Sequence, residues 1–154
     1  MTTLHRRTFL KATLGVSVVG LAASAGLLTP TRVWAAEWPK NAFDAKNIND
    51  ALKDLYGASA STASGSIKIK APIQAENGAV VPIAVSTNLP NVQGIAVFGE
   101  KNAQPLIANV TLHGAEGYLS ARMKMGQTSD VHVVCKAGGK LYSAKQTIKV
   151  TVGG

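Results

Sequence analysis

The sequence predicts an all-β protein, an immunoglobulin-like antiparallel β-sandwich of about seven strands with one N-terminal helix. From residue 66 onward, short segments alternate apolar and polar residues, the period of half-buried strands. Glycine, asparagine and proline recur between these segments at roughly even spacing, which is typical of a sandwich. The chain has a single cysteine, so no intrachain disulfide forms and packing must supply the stability.

The N-terminal segment has the pattern of a twin-arginine export signal. Arg6 and Arg7 lie in "HRRTFLK" and precede an uncharged stretch at 12–31 that is rich in small and apolar residues. The small residues of "VWAA" predict cleavage between Ala35 and Ala36. About 20 apolar residues can also span a bilayer as an anchor, but the glycines, proline and hydroxyl residues of this stretch favour a cleaved signal. We therefore expect export to the periplasm, with no membrane association after cleavage.

The remaining chain has the size of one domain. We divide it into a sandwich with its helix at 36–152 and the start of a terminal arm at 153–154. Removing the first 35 residues, which hold four basic and no acidic residues, lowers the net charge from +8 to +4. Lysines such as Lys68 and Lys70 alternate along strands instead of clustering, and aromatic residues are few, so nucleic acid is not an expected partner.

One amphipathic helix is predicted over 41–56. Its apolar positions recur at spacings of three and four, and Gly57 follows where a helix C-cap glycine is expected. The apolar positions are Ala45, Ile48, Leu52 and Leu55. The next segment, "ASASTASG", is small and polar, which favours a linker or an exposed loop.

Seven strands follow, separated by turn signals such as Asn77-Gly78 and Gly138-Gly139. They are Ser66–Ala71, Val80–Thr87, Gly94–Glu100, Pro105–His113, Tyr118–Met125, Asp130–Lys136 and Lys140–Val152. Strand alternation also assigns faces in the fifth strand. There we expect Leu119, Ala121, Met123 and Met125 to point inward and Ser120, Arg122 and Lys124 outward.

The residues that could ligate a metal do not form a recognisable set. Cys135 shares one strand face with Val131 and Val133, so we predict a buried, structural free thiol. His132 has the opposite parity to Cys135 and should lie on the other face. "KAGG" follows Cys135 without the His and Met that a blue-copper loop supplies. We predict no metal site and solvated side chains for His113 and His132.

Hydrolytic chemistry is not indicated either. No G-x-S-x-G occurs, and no carboxylate pair is spaced for general acid and base catalysis. Glu76, Glu100 and Glu116 each lie beside a turn, where a solvated carboxylate is the usual state. We therefore expect a binding or carrier module, not an enzyme.

The last strand runs directly into two glycines. Ile148, Val150 and Val152 alternate with polar residues, and then Gly153 and Gly154 contribute no side chains. Glycines at this position either form a frayed strand end or begin a flexible arm.

Three runs of sequence are distinctive: "IQAENGAVVPIAVST", "GIAVFGEKNAQPLIANVTL" and "SARMKMGQTSDVHVVCKAGGKLYSAKQTIKVTVGG". Together they resemble the SoxY family, the sulfur-carrier subunits of the periplasmic thiosulfate-oxidation (Sox) system. The similarity extends from about Phe43 to Gly154, and the twin-arginine signal fits the family's export route.

The resemblance implies a function for the terminal glycines. In that family a Gly-Gly-Cys-Gly-Gly arm follows the last strand, and its cysteine holds the sulfur intermediate covalently. Gly153 and Gly154 match the first two positions, so the covalent cysteine is expected next, where the given sequence ends. The carrier role is not transferred to Cys135, and no cofactor other than the sulfur adduct is implied.

The resemblance also implies partners. The family pairs with a SoxZ-like subunit as a heterodimer. The haem enzyme SoxAX attaches thiosulfate to the arm, the hydrolase SoxB releases sulfate, and a sulfane dehydrogenase oxidises the remaining sulfur. The carrier itself is acted on by these enzymes and has no turnover of its own.

Three interpretations stay open on the sequence. The chain is a sulfur carrier whose arm cysteine lies beyond the given residues, or it is a tailless SoxY-like subunit with a structural or regulatory role. The third is an unrelated periplasmic sandwich that binds a small anion, or a peptide strand by addition to a sheet edge.

Overall fold

The computed structural model describes residues 38–154. The predicted export signal, with Arg6, Arg7 and the Ala35–Ala36 junction, lies outside the described residues. Within residues 38–154, none of the helices has the length and apolar character needed to traverse a bilayer.

Two short helices occupy the region where one was predicted. They are α1, Lys40–Asp44, and α2, Ile48–Tyr56. The single helix over 41–56 is wrong because Ala45 adopts extended ψ (145°) and Asn47 starts a new helix, its Oδ1 accepting from the Asp50 N–H at 2.9 Å. An asparagine at this position satisfies a backbone donor that has no partner within the helix. Gly57 ends α2 with φ +74°, as predicted for a left-handed cap.

The described part of the chain contains nine strands. They are β1 Thr62–Ala63, β2 Ile67–Lys70, β3 Gln74–Asn77, β4 Val81–Thr87, β5 Val92–Gly99, β6 Leu106–Thr111, β7 Gly117–Met123, β8 Ser129–Ala137 and β9 Lys140–Val152. The seven predicted strands are all present. The two additional ones, β1 and β3, are short and lack apolar alternation, and both pair in parallel with β9. The sandwich is therefore not purely antiparallel.

The strands form two sheets. The larger sheet has the order β1-β9-β8-β5-β6. Strand β3 also pairs with β9, on the same side as β1 but nearer the end of the strand. The smaller sheet has the order β2-β4-β7. Antiparallel pairing connects all the strands of the smaller sheet and also β6, β5, β8 and β9. This architecture confirms the predicted β-sandwich.

The main hydrophobic core lies between the sheets. On β7 and just after it, Met123 and Met125 are buried while Arg122 and Lys124 are exposed, as predicted. The core consists of Ile67, Ala75, Val81, Ile83, Val85, Ile95, Val97, Met123, Met125, Val131, Val133, Cys135 and Ile148. Its members come from both sheets, so neither sheet buries its apolar face without the other.

A second core covers the outer face of the larger sheet. On β5, Ile95 and Val97 point into the main core, whereas Ala96 and Phe98 point outward and pack beneath the helices. Leu52 of α2 is buried in this second cluster. The central strand is thus apolar on both faces, which explains the unbroken run "GIAVFG".

Replacing Asn47 by Ala should lower the free energy of unfolding by about 1 kcal/mol, because the first turn of α2 loses its side-chain cap. Urea unfolding measures this as a lower midpoint with an unchanged slope. The control is Asn49→Ala, an exposed position inside the same helix, which should change stability by less than about 0.5 kcal/mol. Equal effects at the two positions would contradict the capping role.

Candidate functional site

Strand β9 extends beyond its antiparallel partner. The register with β8 ends at Ser129 opposite Ile148, and from Lys149 onward the strand pairs with β3. On its other side, the Val150 N–H donates to the Thr128 hydroxyl at 2.9 Å. The final residues of the strand therefore remain hydrogen-bonded while they project past the edge of β8.

Four glycines, Gly78, Gly126, Gly153 and Gly154, meet where β9 ends, and we call them the glycine clamp. The Gly78 N–H donates to the Val152 carbonyl at 2.8 Å. The Gly154 N–H donates to the Met125 carbonyl at 3.2 Å. The two terminal glycines are solvent-exposed yet held by backbone contacts.

The clamp leaves no room for side chains at three of its positions. A Cβ atom on Gly78 would clash with the Met125 carbonyl oxygen, and one on Gly153 would clash with the Gly126 carbonyl oxygen. A Cβ on Gly154 would clash with the backbone of Ala79. Gly78, Gly153 and Gly154 are thus required by close backbone approach, a reason that the sequence pattern did not indicate.

A side chain from the β5–β6 connection braces the clamp. Asn102 Nδ2 donates to the Lys124 carbonyl at 2.8 Å, and the Gly126 N–H donates to Asn102 Oδ1 at 3.2 Å. The amide nitrogen and the amide oxygen of Asn102 therefore both hold the loop after β7 to the β5–β6 connection. This contact joins residues that are far apart in sequence, so alternation patterns do not reveal it.

Cys135 lies in the main core, away from solvent. Its exposed fraction is 0%, as predicted for a mid-strand cysteine, and burial raises the pKa of the thiol to about 11. The thiolate is the nucleophilic form, so this side chain is inert at neutral pH.

The outer face of the larger sheet brings together three side chains that the sequence did not connect. Glu100, Asp130 and His132 place ligand atoms within 4.8 Å of one another. His132 lies on the face opposite Cys135, as predicted, but it is only partly exposed and its Nε2 is 3.3 Å from Glu100 Oε2. His113 is exposed, in agreement with its prediction.

Asp130 has two further contacts. It accepts a 2.5 Å hydrogen bond from the Thr147 hydroxyl, and Lys145 Nζ lies 3.3 Å from its other oxygen. The Thr147 hydrogen bond and the neighbouring Lys145 lower the pKa of Asp130 below its usual value. The signals that could have found this cluster are the i, i+2 spacing of Asp130 and His132 and the position of Glu100 at a strand end.

The other two glutamates beside turns, Glu76 and Glu116, are exposed, as predicted.

The fold and the clamp define a class: a small β-sandwich that presents a glycine-rich strand end at the surface and keeps its cysteine buried. The family model of the sulfur oxidation protein SoxY matches residues 52–154. The chain belongs to the SoxY family.

Solved structures agree with this assignment. The sulfur carrier protein SoxY from Chlorobium limicola f thiosulfatophilum is 39% identical with a TM-score of 0.63, over 69% of this chain and 97% of that one. A superoxide reductase (neelaredoxin) variant from Ignicoccus hospitalis is 18% identical with a TM-score of 0.50, over 55% of this chain and 79% of that one, and shows the fold alone. No curated protein sequence matches the chain.

Replacing Gly78 by Ala should destabilise the fold by about 1–3 kcal/mol, because the new methyl group collides with the Met125 carbonyl. The matched control is Gly126→Ala in the same clamp, where a Cβ meets no atom within 4 Å. Chemical unfolding of the two variants measures the difference. Equal stability of the two variants would contradict the close approach at Gly78.

In the chain ending at Gly154, Cys135 should resist alkylation. At pH 8, its raised pKa alone should slow iodoacetamide labelling by roughly 100-fold relative to the unfolded chain, because far less thiolate is present. Mass spectrometry of samples labelled with and without guanidinium measures the ratio. Labelling at the same rate in both conditions would show that the thiol is accessible in the folded protein.

Proposed function

We propose that this chain is a sulfur carrier in thiosulfate oxidation and that it holds the sulfur intermediate covalently on a thiol following Gly154. The observation that carries the proposal is the contrast between the exposed strand end and the buried cysteine. Strand β9 delivers its terminus to the surface through the glycine clamp, whereas Cys135 is enclosed in the core. Membership of the SoxY family and the similarity to a sulfur carrier protein support the same role.

The chemistry of a carrier explains why the thiol should lie on an arm. A thiolate that visits several enzymes must be exposed and must reach recessed active sites. Each extended residue adds roughly 3.3–3.6 Å, so a cysteine at the third arm position lies roughly 10 Å beyond the last strand residue when the arm is extended. Cys135 lies mid-strand between two sheets and has no such reach.

The clamp gives this arm a fixed root. The hydrogen bonds of Val152 and Gly154 to the Gly78 and Met125 backbones hold the last strand residues in place. Motion is then confined to the arm itself, because β9 stays paired as far as Val152. A fixed root reduces the volume that the thiol explores, which raises its effective concentration at a docked enzyme.

The carrier takes part in thiosulfate oxidation as a covalent substrate, and other enzymes catalyse each step. Joining the arm sulfur to the outer sulfur of thiosulfate releases two electrons, which a haem enzyme of the SoxAX type accepts. Water then attacks the terminal sulfonate in a SoxB-type hydrolase, releasing sulfate and leaving a persulfide on the arm for a sulfane dehydrogenase. The chain contributes the nucleophilic thiol and its presentation, so it is a carrier and not an enzyme.

A SoxZ-like subunit and these enzymes are the partners that we propose, in the periplasm after twin-arginine export. Exposed apolar side chains next to the arm root support a docking role, since Val80 is 57% and Val152 62% exposed. Exposed apolar residues such as these two valines would be buried when a partner binds beside the arm.

The intact mass of the protein taken from its native periplasm tests the proposal. We expect a mass greater than that of Ala36–Gly154, and incubation with thiosulfate and the Sox enzymes should add a sulfur-containing group that reductant removes. Peptide mapping should place the group after Gly154. The Cys135→Ala variant should be loaded to the same extent.

Two results would overturn this proposal. A mass equal to that of Ala36–Gly154 with no adduct would leave a SoxY-like subunit of structural or regulatory role. An adduct mapped to Cys135, and lost in Cys135→Ala, would move the carrier function to the core thiol.

A further inference from the structure

The cluster of Glu100, Asp130 and His132 has a strand register that a sheet normally avoids. The Glu100 N–H donates to the Asp130 carbonyl at 3.1 Å, which continues the β5–β8 ladder and sets the two carboxylates side by side on adjacent strands. Like charges directly across a strand pair destabilise it unless a cation lies between them. His132 follows Asp130 on the same face and borders the same space.

The donor set suits a divalent metal ion, and one pair within it has the spacing of two ligands of such an ion. One imidazole nitrogen and two carboxylate oxygens are ligands that Zn²⁺ accepts, and three protein ligands with an open position are a common arrangement for it. With metal–ligand bonds of about 2.0–2.1 Å, two ligands of a tetrahedral ion lie about 3.3 Å apart. The distance between His132 Nε2 and Glu100 Oε2 is 3.3 Å. This pair is already separated as two ligands of one ion would be.

A cavity adjoins the cluster. Its volume is about 360 Å³, and Glu100 and His132 form part of its wall. The remaining wall is mixed: Ile48, Leu52 and Val134 are apolar, and the polar residues are Lys46, Asn47, Asn49, Ser59, Ser61 and Ser143. The space beside the two ligands is therefore partly polar and large enough for water or a small anion at the remaining coordination positions.

Lys145 is the group that competes with a metal. Its ammonium lies 3.3 Å from Asp130 Oδ2, and both side chains are partly open to solvent. A metal ion bound by Asp130 would be repelled by this ammonium and would displace it. The competition gives the site a testable signature, because removing Lys145 should strengthen binding.

We propose that Glu100, Asp130 and His132 form a divalent-metal site for Zn²⁺-type ions, with its open coordination positions facing the adjoining cavity. The site is separate from the glycine clamp and from the core thiol, and the inference does not rest on the carrier function.

Titration calorimetry with Zn²⁺ of the chain from Ala36 to Gly154 tests the proposal, because neither His5 nor a thiol after Gly154 is then present. We expect one binding event that His132→Ala and Glu100→Gln each weaken by at least about 10-fold, since each removes a ligand. Lys145→Ala should bind more tightly than the parent chain. Ca²⁺ should not bind, because it requires six to eight oxygen ligands.

Matched variants separate this site from general metal binding. His113→Ala removes an exposed histidine outside the cluster and is the control for His132→Ala. Lys149→Ala is the control for Lys145→Ala, because Lys149 lies further along β9, in the part of the strand that pairs with β3. Both should leave the affinity unchanged. Zn²⁺ should also raise the melting temperature of the parent chain but not of His132→Ala.

Equal Zn²⁺ affinity in His132→Ala, Glu100→Gln and the parent chain would overturn the proposal, as would a loss confined to His113→Ala. An unchanged affinity in Lys145→Ala would remove Asp130 from the ligand set. Far-UV circular dichroism of each metal-free variant shows that the fold is retained, so that a lost binding event reports on the ligands.

Discussion

The pairing of strand β9 is the interaction on which the rest of the structure depends. Its 13 residues pair with β8 on one side and with β1 and then β3 on the other. Ile148 of this strand is fully buried in the main core. Because β3 holds the strand after β8 ends, the chain reaches the surface as ordered backbone, and the clamp forms at a defined place.

The two faces of the larger sheet pack against different parts of the protein and carry different residues. The inner face packs against the smaller sheet and encloses Cys135. The outer face is covered by α1 and α2 over Phe98 and Val134, and its polar edge carries Glu100 and His132. A carrier that keeps its structural cysteine in the core avoids competition between that thiol and the one that holds the sulfur intermediate, because a buried thiol ionises poorly.

The glycine clamp and the Glu100–Asp130–His132 cluster are distinct sites that contact the same connection after β5. Glu100 and Asn102 belong to the same connection after β5, and Asn102 hydrogen-bonds to the loop that carries Gly126. Asp130 is the second residue of β8, the strand that follows this loop. A shift of this connection would therefore move both the arm root and the side chains of the cluster.

The sequence by itself determined the features that depend on local periodicity. Strand alternation placed Met123 and Met125 inside, Arg122 and Lys124 outside, and Cys135 in the core, because each side chain's face follows from its parity along the strand. Tertiary structure alone decided the parallel pairing of β1 and β3 with β9, the close approach at Gly78 and the meeting of Glu100 with Asp130 and His132. Each of these joins segments distant in sequence or depends on a backbone clash, and neither is encoded in a repeating pattern of apolar residues.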